Sequence, residues 1–135
     1  MAANPHFGVL GRNAAINAVT ARLNSALMKF YDGAQPADCS VAVSTQNLLA
    51  TITFPNPAFA AASAGAAALN GVPLTVTIAA SGTVAWFRIF DSGGTVAEHD
   101  GNVGIVSVFN CIVDNTSLAI NATLAVNTGS ISHAA

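Results

Sequence analysis

The sequence has 135 residues, of which 53% are hydrophobic and only 7% are charged. A chain of this length can bury about 70% of its unfolded surface in one domain, so a single core is sufficient. Ordinary soluble domains carry about 25% charged residues, so this composition makes a poor surface for a free monomer. The formal net charge of −2 provides no basic field. We therefore expect no direct binding to nucleic acid or to an acidic membrane.

The apolar residues are not arranged as a membrane span. A spanning helix needs about 18 or more consecutive apolar residues, and the most apolar stretch, residues 57–69, is shorter and is interrupted. The N-terminus has no basic start followed by an apolar run, which predicts no secretory signal and a cytosol-like compartment. Cys39 and Cys111 are too few for a disulfide scaffold. We expect free, buried thiols, with a Cys39–Cys111 disulfide as the alternative.

The chain is predicted to begin with an extended N-terminal arm, residues 1–12, followed by a single β-rich domain, residues 13–135. Asn13 can cap a helix, because its side chain can accept a hydrogen bond from a free backbone N–H of the first turn. Apolar residues then follow at spacings of three and four, namely Ile16, Val19, Leu23 and Leu27. This spacing predicts one short amphipathic helix over about residues 14–25.

After Leu27 the apolar period changes to two, which predicts strands. Residues 48–54 and 74–78 alternate between apolar and polar side chains, as half-buried strands do. Residues 83–90 and 96–99 flank a Gly-Gly turn, which predicts a hairpin. Further strands are predicted at 103–109, 111–114 and 118–131. The predicted fold is mainly β, an antiparallel β-sandwich or flattened barrel with one short N-terminal helix.

An alanine-rich stretch, residues 55–71, separates two of the predicted strands. It begins with two prolines and ends in Asn-Gly. We predict a packed surface loop with at most a single helical turn. The alternative is a linker between two domains, which we disfavour because neither half of the chain would make a convincing domain.

The residues that could carry chemistry do not form a recognisable site. Glu98, His99 and Asp100 are consecutive, so on a strand His99 points away from both neighbours and the three cannot share one face. We predict a hairpin end with solvated charge. The alternative is a calcium site that uses Asp91, Glu98 or Asp100, although the spacing matches no calcium-binding loop. We expect no metal and no cofactor.

Nucleophilic and phosphate-binding motifs are also missing from the sequence. Ser92 lacks the glycine two positions ahead that a nucleophile elbow requires. Neither cysteine has a histidine near it in sequence, and no glycine-rich phosphate loop is present. We predict that the chain has no catalytic residues and is not an enzyme.

The segment 86–90 carries large apolar groups on both faces of a predicted strand. Trp86, Arg88 and Phe90 share one face, and Phe87 and Ile89 share the other. Such a strand is covered on both sides, and we expect the second cover to be the N-terminal helix or a neighbouring subunit. Arg88 is expected to pair with a carboxylate or with backbone carbonyls, because an unpaired buried charge is costly. The structural or interface candidates are Trp86, Arg88, Phe90, Tyr31, Asp32, Pro5, His6 and Phe7.

The order of several motifs resembles a known family. LMKFYDGAQPADCS, LLATITFPNPAFAAASAG, ASGTVAWFRIFDSGGTVAEHDGNVG and VDNTSLAINATL follow one another. Together, over about residues 14–127, they resemble small structural proteins of tailed bacteriophages and prophages. The motifs are specific as a set and weak singly, and the long arm and alanine-rich middle depart from the pattern. The resemblance implies no catalytic residue, and it implies fold determinants at Tyr31, Asp32, Gly33, Leu49, Phe59, Gly82, Thr83, Arg88 and Asp91.

The function implied by this resemblance is a structural role in a virion assembled in the bacterial host cytoplasm. We expect a capsid decoration or cement protein, with the major capsid protein or other copies of this chain as partners in a homo-oligomeric arrangement. Residues 1–12 are expected to be ordered by contact with another subunit. A minor tail or head-to-tail junction protein is the first alternative. A host-surface or carbohydrate-binding module is the second, although one Trp and one Tyr are few for that role.

Overall fold

The computed structural model of the protein describes residues 7–105 and 111–132. Its elements confirm the prediction of a mainly β fold with one short N-terminal helix. In chain order they are α1 (Val9–Ala21), β1 (Leu27–Tyr31), β2 (Leu48–Thr53), β3 (Ala66–Ala68), β4 (Leu74–Thr77), β5 (Gly82–Thr83), β6 (Trp86–Phe90), β7 (Ala97–Gly104), β8 (Cys111–Val113), β9 (Ser117–Leu118) and β10 (Thr123–Ser132).

The principal sheet has the strand order β2-β1-β6-β7-β8-β10-β3, and β4 also pairs with β10. Its neighbours are antiparallel except for β7 and β8, which pair in parallel at Val103↔Cys111 and Gly104↔Ile112. The sheet is therefore mixed, whereas the sequence predicted an antiparallel one. β5 and β9 form a separate two-stranded sheet.

The sheet curls into a half-barrel whose two ends meet between β2 and β4. The backbone N–H groups of Ala79 and Ala80, just after β4, donate to the carbonyl oxygen of Leu49 in β2, at 2.8 and 3.2 Å. Beyond β2, Pro55 lies near Gly71, where an added Cβ would be in ordinary contact with Pro55 Cγ at 3.7 Å. This curvature agrees with the flattened-barrel alternative, in which the sheet closes on itself and protects its edges.

The core follows from the alternation of side chains along each strand. In β1, Met28 and Phe30 face the interior, and in β6 their paired neighbours Ile89 and Phe87 do the same. Burying one such side chain stabilises the fold by roughly 1.5–3 kcal/mol. The largest fully buried side chains are Trp86, Phe30, Leu23, Leu49, Ile89, Leu124, Val113, Val126 and Cys111.

The helix begins earlier than the sequence indicated. α1 spans Val9–Ala21 with Gly8 as its N-cap, so the predicted bounds of 14–25 are wrong and the last part of the predicted arm is helical. Asn13 does not cap the helix, because it lies inside α1 and its side chain binds elsewhere. Leu27 begins β1 and does not belong to the helix. Residues 1–6 of the arm lie outside the described residues.

Asn13 and Asn17 of α1, together with Asn24 just beyond its end, attach the helix to the alanine-rich segment. The side-chain oxygens of Asn13, Asn17 and Asn24 accept hydrogen bonds from the backbone N–H groups that face them. These groups belong to Gly65, Ala62 and Ala58, at 2.8, 2.8 and 2.9 Å respectively. Because the segment has no polar side chains of its own at these positions, the helix satisfies backbone donors that would otherwise be unpaired.

The prediction of a packed loop over residues 55–71 is confirmed in its main point. Ala58 and Phe59 are buried, and isolated bridges join Phe59 to Leu69 and Ser63 to Ala66. The segment is extended and contains no helical turn, and its last part forms β3. The interdomain-linker alternative is wrong, because this segment packs directly on the core and on α1.

Most predicted strands are present with small differences in their ends. β2 and β4 lie where the alternation placed them, and the hairpin of β6 with β7 lies at the Gly-Gly turn. The predicted strand at 83–90 is two elements in different sheets, β5 and β6. The predicted strand at 118–131 is two elements, β9 and β10. The predicted strand at 103–109 is the end of β7 as far as Gly104, and residues 106–110 lie outside the described part of the chain. Sequence reasoning missed β1 and β3.

Candidate functional site

Arg88 is the centre of a buried polar cluster on the outer face of β6. Its side chain is 2% exposed. The guanidinium donates to both carboxylate oxygens of its cross-strand neighbour Asp100, Nε to Oδ1 at 2.7 Å and Nη2 to Oδ2 at 3.0 Å. It also donates to the backbone carbonyls of Val41 at 2.7 Å and Asp38 at 3.1 Å. The predicted pairing of Arg88 with a carboxylate or backbone carbonyls is thus confirmed in both forms.

Two aromatic rings lie beside this ion pair. Tyr31 stacks on Trp86 with ring centroids 4.6 Å apart and an interplanar angle of 18°. The indole Nε1 of Trp86 donates to the backbone carbonyl of Asp32 at 3.0 Å. The Arg88 guanidinium carbon is 5.4 Å from the Trp86 ring centroid, within the range of a cation–π contact. The rings therefore shield the ion pair from water and strengthen its electrostatic attraction.

The outer face of β6 is covered by the connection between β1 and β2, residues 32–47, which we call the strap. Both carbonyls that accept from Arg88 belong to it. Its ends are joined because Asp32 accepts hydrogen bonds from the backbone and side-chain nitrogens of Asn47, at 2.6 and 3.0 Å. The prediction that the N-terminal helix or a neighbouring subunit covers this face is therefore wrong. β1 and β2 are antiparallel neighbours, so a long connection between them can fold back over the sheet.

The electrostatics of the cluster suit a structural ion pair better than a reactive site. Its hydrogen bond with Asp100 raises the pKa of Arg88. Burial, with a hydrogen bond to Asp100, raises the pKa of the Cys39 thiol to about 11. Burial also raises the pKa of Tyr31. At neutral pH the thiol and the phenol are uncharged, so neither is an activated nucleophile.

The prediction of a solvated hairpin end at Glu98, His99 and Asp100 is wrong. Asp100 is buried against Arg88, and Glu98 is bound by Arg22, whose Nη2 lies 2.6 Å from Glu98 Oε1. His99 faces the opposite side of β7, as the alternation predicted. These residues form a well-paired strand because β7 begins at Ala97 and extends to Gly104.

Asp91 is the acidic residue that does lie in the turn. Its carboxylate accepts hydrogen bonds from the backbone N–H groups of Thr95 at 2.9 Å and Val96 at 3.2 Å. These bonds lower the pKa of Asp91 below its ordinary value. Within residues 7–105 and 111–132, no group of three or more His, Cys, Asp or Glu side chains could hold a metal ion.

The other predicted interface and fold residues have separate locations. Phe90 is half-buried with the Lys29 ammonium 4.7 Å above its ring, and Phe7 is 62% exposed.

Gly33 has a φ of 73°, in the left-handed region that favours glycine. A side chain at Gly82 would lie 2.9 Å from buried Leu49, so a close approach requires glycine there. Phe59 is buried and Thr83 pairs with Ser117, whereas Pro5 and His6 lie outside the described residues.

A small apolar cavity lies inside the half-barrel. The space open to the centre of a water-sized sphere inside it is about 10 Å³. That is room for roughly one water molecule, so the cavity is too small for a metabolite. The lining residues are Met28, Phe54, Phe59, Leu69, Phe87, Ile89, His99, Cys111, Gly129, Ser130 and Ile131.

The second surface of interest is the outer face of α1, which we define as Leu10, Ala14, Ala18 and Ala21. These residues recur at spacings of three and four on the side of the helix opposite buried Ile16, and all four are exposed. Leu10 is 80% exposed.

The sequence prediction missed this face because it began the helix at residue 14. It missed the asparagine contacts because it assigned Asn13 to a helix cap. The four- and seven-residue spacing of Asn13, Asn17 and Asn24 was the available signal.

Comparison with known proteins gives no relative: no family model, no curated protein and no solved structure matches the chain. No helix in the part of the chain that the structure describes is long and apolar enough to cross a membrane. Both cysteines are free, Cys39 half-buried and Cys111 buried.

Proposed function

We propose that this chain is a structural protein of a tailed-phage virion, a capsid decoration or cement protein that packs against the major capsid protein and adjacent copies of itself. The observation that carries the proposal is the outer face of α1, which is apolar, uncharged and exposed. A Leu side chain that is 80% exposed beside three exposed alanines is unfavourable in water and favourable against a partner.

The size of the contact suits an assembly of many copies. A helix of 13 residues is about 20 Å long, so one face of α1 is smaller than the surface that a stable pairwise complex buries. Weak contacts of this size become effective when many subunits bind one particle at once. The asparagine contacts hold α1 firmly on the barrel, so the helix presents its outer face without first being ordered.

Two further observations support a structural role over the alternatives. Carbohydrate-binding modules stack sugars on exposed aromatic rings, whereas Trp86 is 1% and Tyr31 is 6% exposed beneath the strap. For catalysis, the two thiols have raised pKa values and the Arg88–Asp100 pair is fully occupied by internal hydrogen bonds. We therefore propose no enzymatic activity for the chain.

The copy number per particle tests the proposal. Quantitative mass spectrometry would be applied to purified virions of the phage whose genome encodes this chain, with the major capsid protein as internal standard. Hundreds of copies per particle support shell decoration. A handful of copies would overturn decoration in favour of the tail or head-to-tail junction alternative, and the absence of the chain from virions would overturn the virion role altogether.

A point substitution tests the surface itself. Leu10→Glu introduces a charge on the outer face of α1, and we expect it to reduce co-sedimentation with capsids that lack the protein by at least tenfold. The matched control is Ile120→Glu, at a residue that is 55% exposed and lies outside α1. Equal binding by the two variants would contradict the assignment of the outer face of α1. The substitution is preferable to deletion of residues 2–12, which would remove the first turn of α1.

A further inference from the structure

The outer face of α1 continues onto the neighbouring alanine-rich segment, and the two form one uncharged surface. Asn17 lies one helical turn from Ala21, and its side-chain oxygen accepts a hydrogen bond from the backbone N–H of Ala62 at 2.8 Å. The exposed residues around Ala62 are Ala60, Ala61, Ser63 and Ala64. Arg12 is the one charged residue in the sequences of α1 and this segment. It is about 200° around the helix from Leu10, so its charge is on the other side of α1.

The side chains on the outer face of α1 decrease in size from the start of the helix to its end. Leu10 and Phe7 are the large exposed groups at the start. Phe7 lies against Gly11, because a Cβ at Gly11 would be 3.7 Å from two of its carbon atoms. The rest of the face consists of Ala14, Ala18 and Ala21. The first half of the face is therefore raised, and the second half is shallow.

A surface with this gradient is complementary to a second copy of itself when the two helices are antiparallel. Leu10 and Ala18 are each four residues from Ala14, so a two-fold axis at Ala14 places Leu10 of one copy against Ala18 of the other. Phe7 and Ala21 are each seven residues from Ala14, so they meet in the same way. A parallel pair would place the large side chains against each other and hold the alanines apart. Antiparallel helices also bring the opposite ends of their dipoles together.

We propose that the outer face of α1 is a contact between copies of this chain, in which two α1 helices pack antiparallel around Ala14. The match of the raised half to the shallow half favours a second copy as the occupant. The absence of charge from the face supports this, because a charged partner would find no counter-charge on it. The inference rests on the proposed structural role for its setting, and it assigns this face to neighbouring copies and not to the major capsid protein.

The strength of the contact follows from its size. The exposed face of α1 is about 20 Å long and about 10 Å wide, and the exposed part of the alanine-rich segment widens it. Specific pairwise complexes bury at least about 1,200 Å² in total, so a contact of this size is at the weak end. We expect a dimer with a Kd between about 10 µM and about 1 mM. Such a contact forms to a small extent in dilute solution and extensively where many copies are bound to one surface.

Sedimentation equilibrium of the isolated full-length protein tests the contact. At concentrations from about 10 µM to about 1 mM, the native sequence should show a reversible equilibrium between monomer and dimer. Leu10→Glu and Ala18→Glu each place a charge in the apolar contact, and each should raise the Kd by at least about tenfold. Ile120→Glu, at an exposed residue outside α1, is the matched control and should leave the Kd unchanged. Circular dichroism would establish that every variant is folded.

A double variant tests the antiparallel arrangement. In Leu10→Glu/Ala18→Lys, the new glutamate of one copy faces the new lysine of the other, so the double variant should dimerise at least about threefold more tightly than Leu10→Glu. The two positions are about 12 Å apart along one helix, so they do not pair within a copy. In a parallel dimer like charges would meet and the double variant would show no recovery. Absence of recovery would therefore overturn the antiparallel contact.

Two further outcomes would also overturn the inference. One is a native protein that stays monomeric at about 1 mM. The other is an equal Kd for Leu10→Glu, Ala18→Glu and Ile120→Glu. No capsid is present in these measurements, so they are separate from the copy number that tests the proposed function. A monomeric protein found in hundreds of copies per virion would overturn this contact alone, whereas a dimer absent from virions would support it and overturn the virion role.

Discussion

The outer face of β6 and the outer face of α1 have opposite chemistry and opposite exposure. The first carries Arg88 and Trp86, with Asp100 of β7 and Tyr31 of β1 beside them, yet Arg88 and Trp86 are almost fully buried beneath the strap. The second is a plain apolar stripe, and its Leu10 is 80% exposed. The connections between helices and strands therefore determine which surface is covered. The polar surface is covered because the strap supplies carbonyls at the right places, whereas nothing in residues 7–105 and 111–132 covers the outer face of α1.

The largest effect is expected at Arg88. Arg88→Met removes the charge but leaves Asp100 buried without its partner, so we expect the free energy of unfolding to fall by about 3–5 kcal/mol. Urea denaturation at pH 7 measures the loss. The matched control is Arg22→Met, which removes the exposed ion pair with Glu98 and should have a much smaller effect. Similar losses for the two variants would contradict the distinction between a covered and an exposed ion pair.

The hydrogen bonds of Asn13 and Asn17 in α1 should contribute unequally to the free energy of unfolding. Asn13→Ala leaves the N–H of buried Gly65 unpaired, and we expect a loss of about 1–3 kcal/mol in the free energy of unfolding. Asn17→Ala frees the N–H of Ala62, which is more accessible to water, and should lose about 0.5 kcal/mol or less. Thermal or urea denaturation of both variants tests this order. A larger loss for Asn17→Ala than for Asn13→Ala would show that burial of the N–H donor does not determine the loss in the free energy of unfolding.

The stability contributed by the hydrogen bonds between Asp32 and Asn47, at the two ends of the strap, should depend on pH. Hydrogen bonds from Asn47 lower the pKa of Asp32 below its ordinary value of 3.8. Its contribution to stability is therefore present above about pH 4 and is lost as the pH falls through the lowered value. Asp32→Asn should be less stable than the native sequence at pH 7, and the difference should shrink as the pH falls below 3.8. A difference that persists unchanged in acid would show that the charge of Asp32 is not involved.

The smallest effect on stability is expected at Leu10. Because this side chain is exposed, Leu10→Glu should change the free energy of unfolding by no more than about 0.5 kcal/mol. Ile16→Ala, on the buried side of the same helix, should lose about 2–5 kcal/mol. Denaturation curves of the two variants compare the faces directly. A large loss from Leu10→Glu would mean that Leu10 is required for folding and would remove it as a contact residue.

Several features of the fold could be predicted because they depend on neighbouring residues in the sequence. The alternation of Leu48 to Thr53 and of Leu74 to Thr77 predicted β2 and β4, and the Gly-Gly turn predicted the hairpin of β6 with β7. The need of Arg88 for a partner followed from the cost of burying a charge among large apolar groups. The opposite orientations of His99 and Asp100 followed from the pleat of a strand.

The sequence by itself therefore determined the mainly β character of the protein, its short N-terminal helix and the burial of Arg88, since local periodicity and desolvation act over a few residues. The tertiary structure alone decided what lies against them. It placed the strap over Arg88, Asn13 against Gly65 instead of at a helix cap, and His99 in an apolar cavity. These contacts join residues far apart in the chain, and the curvature of the sheet, which no local pattern encodes, brings them together.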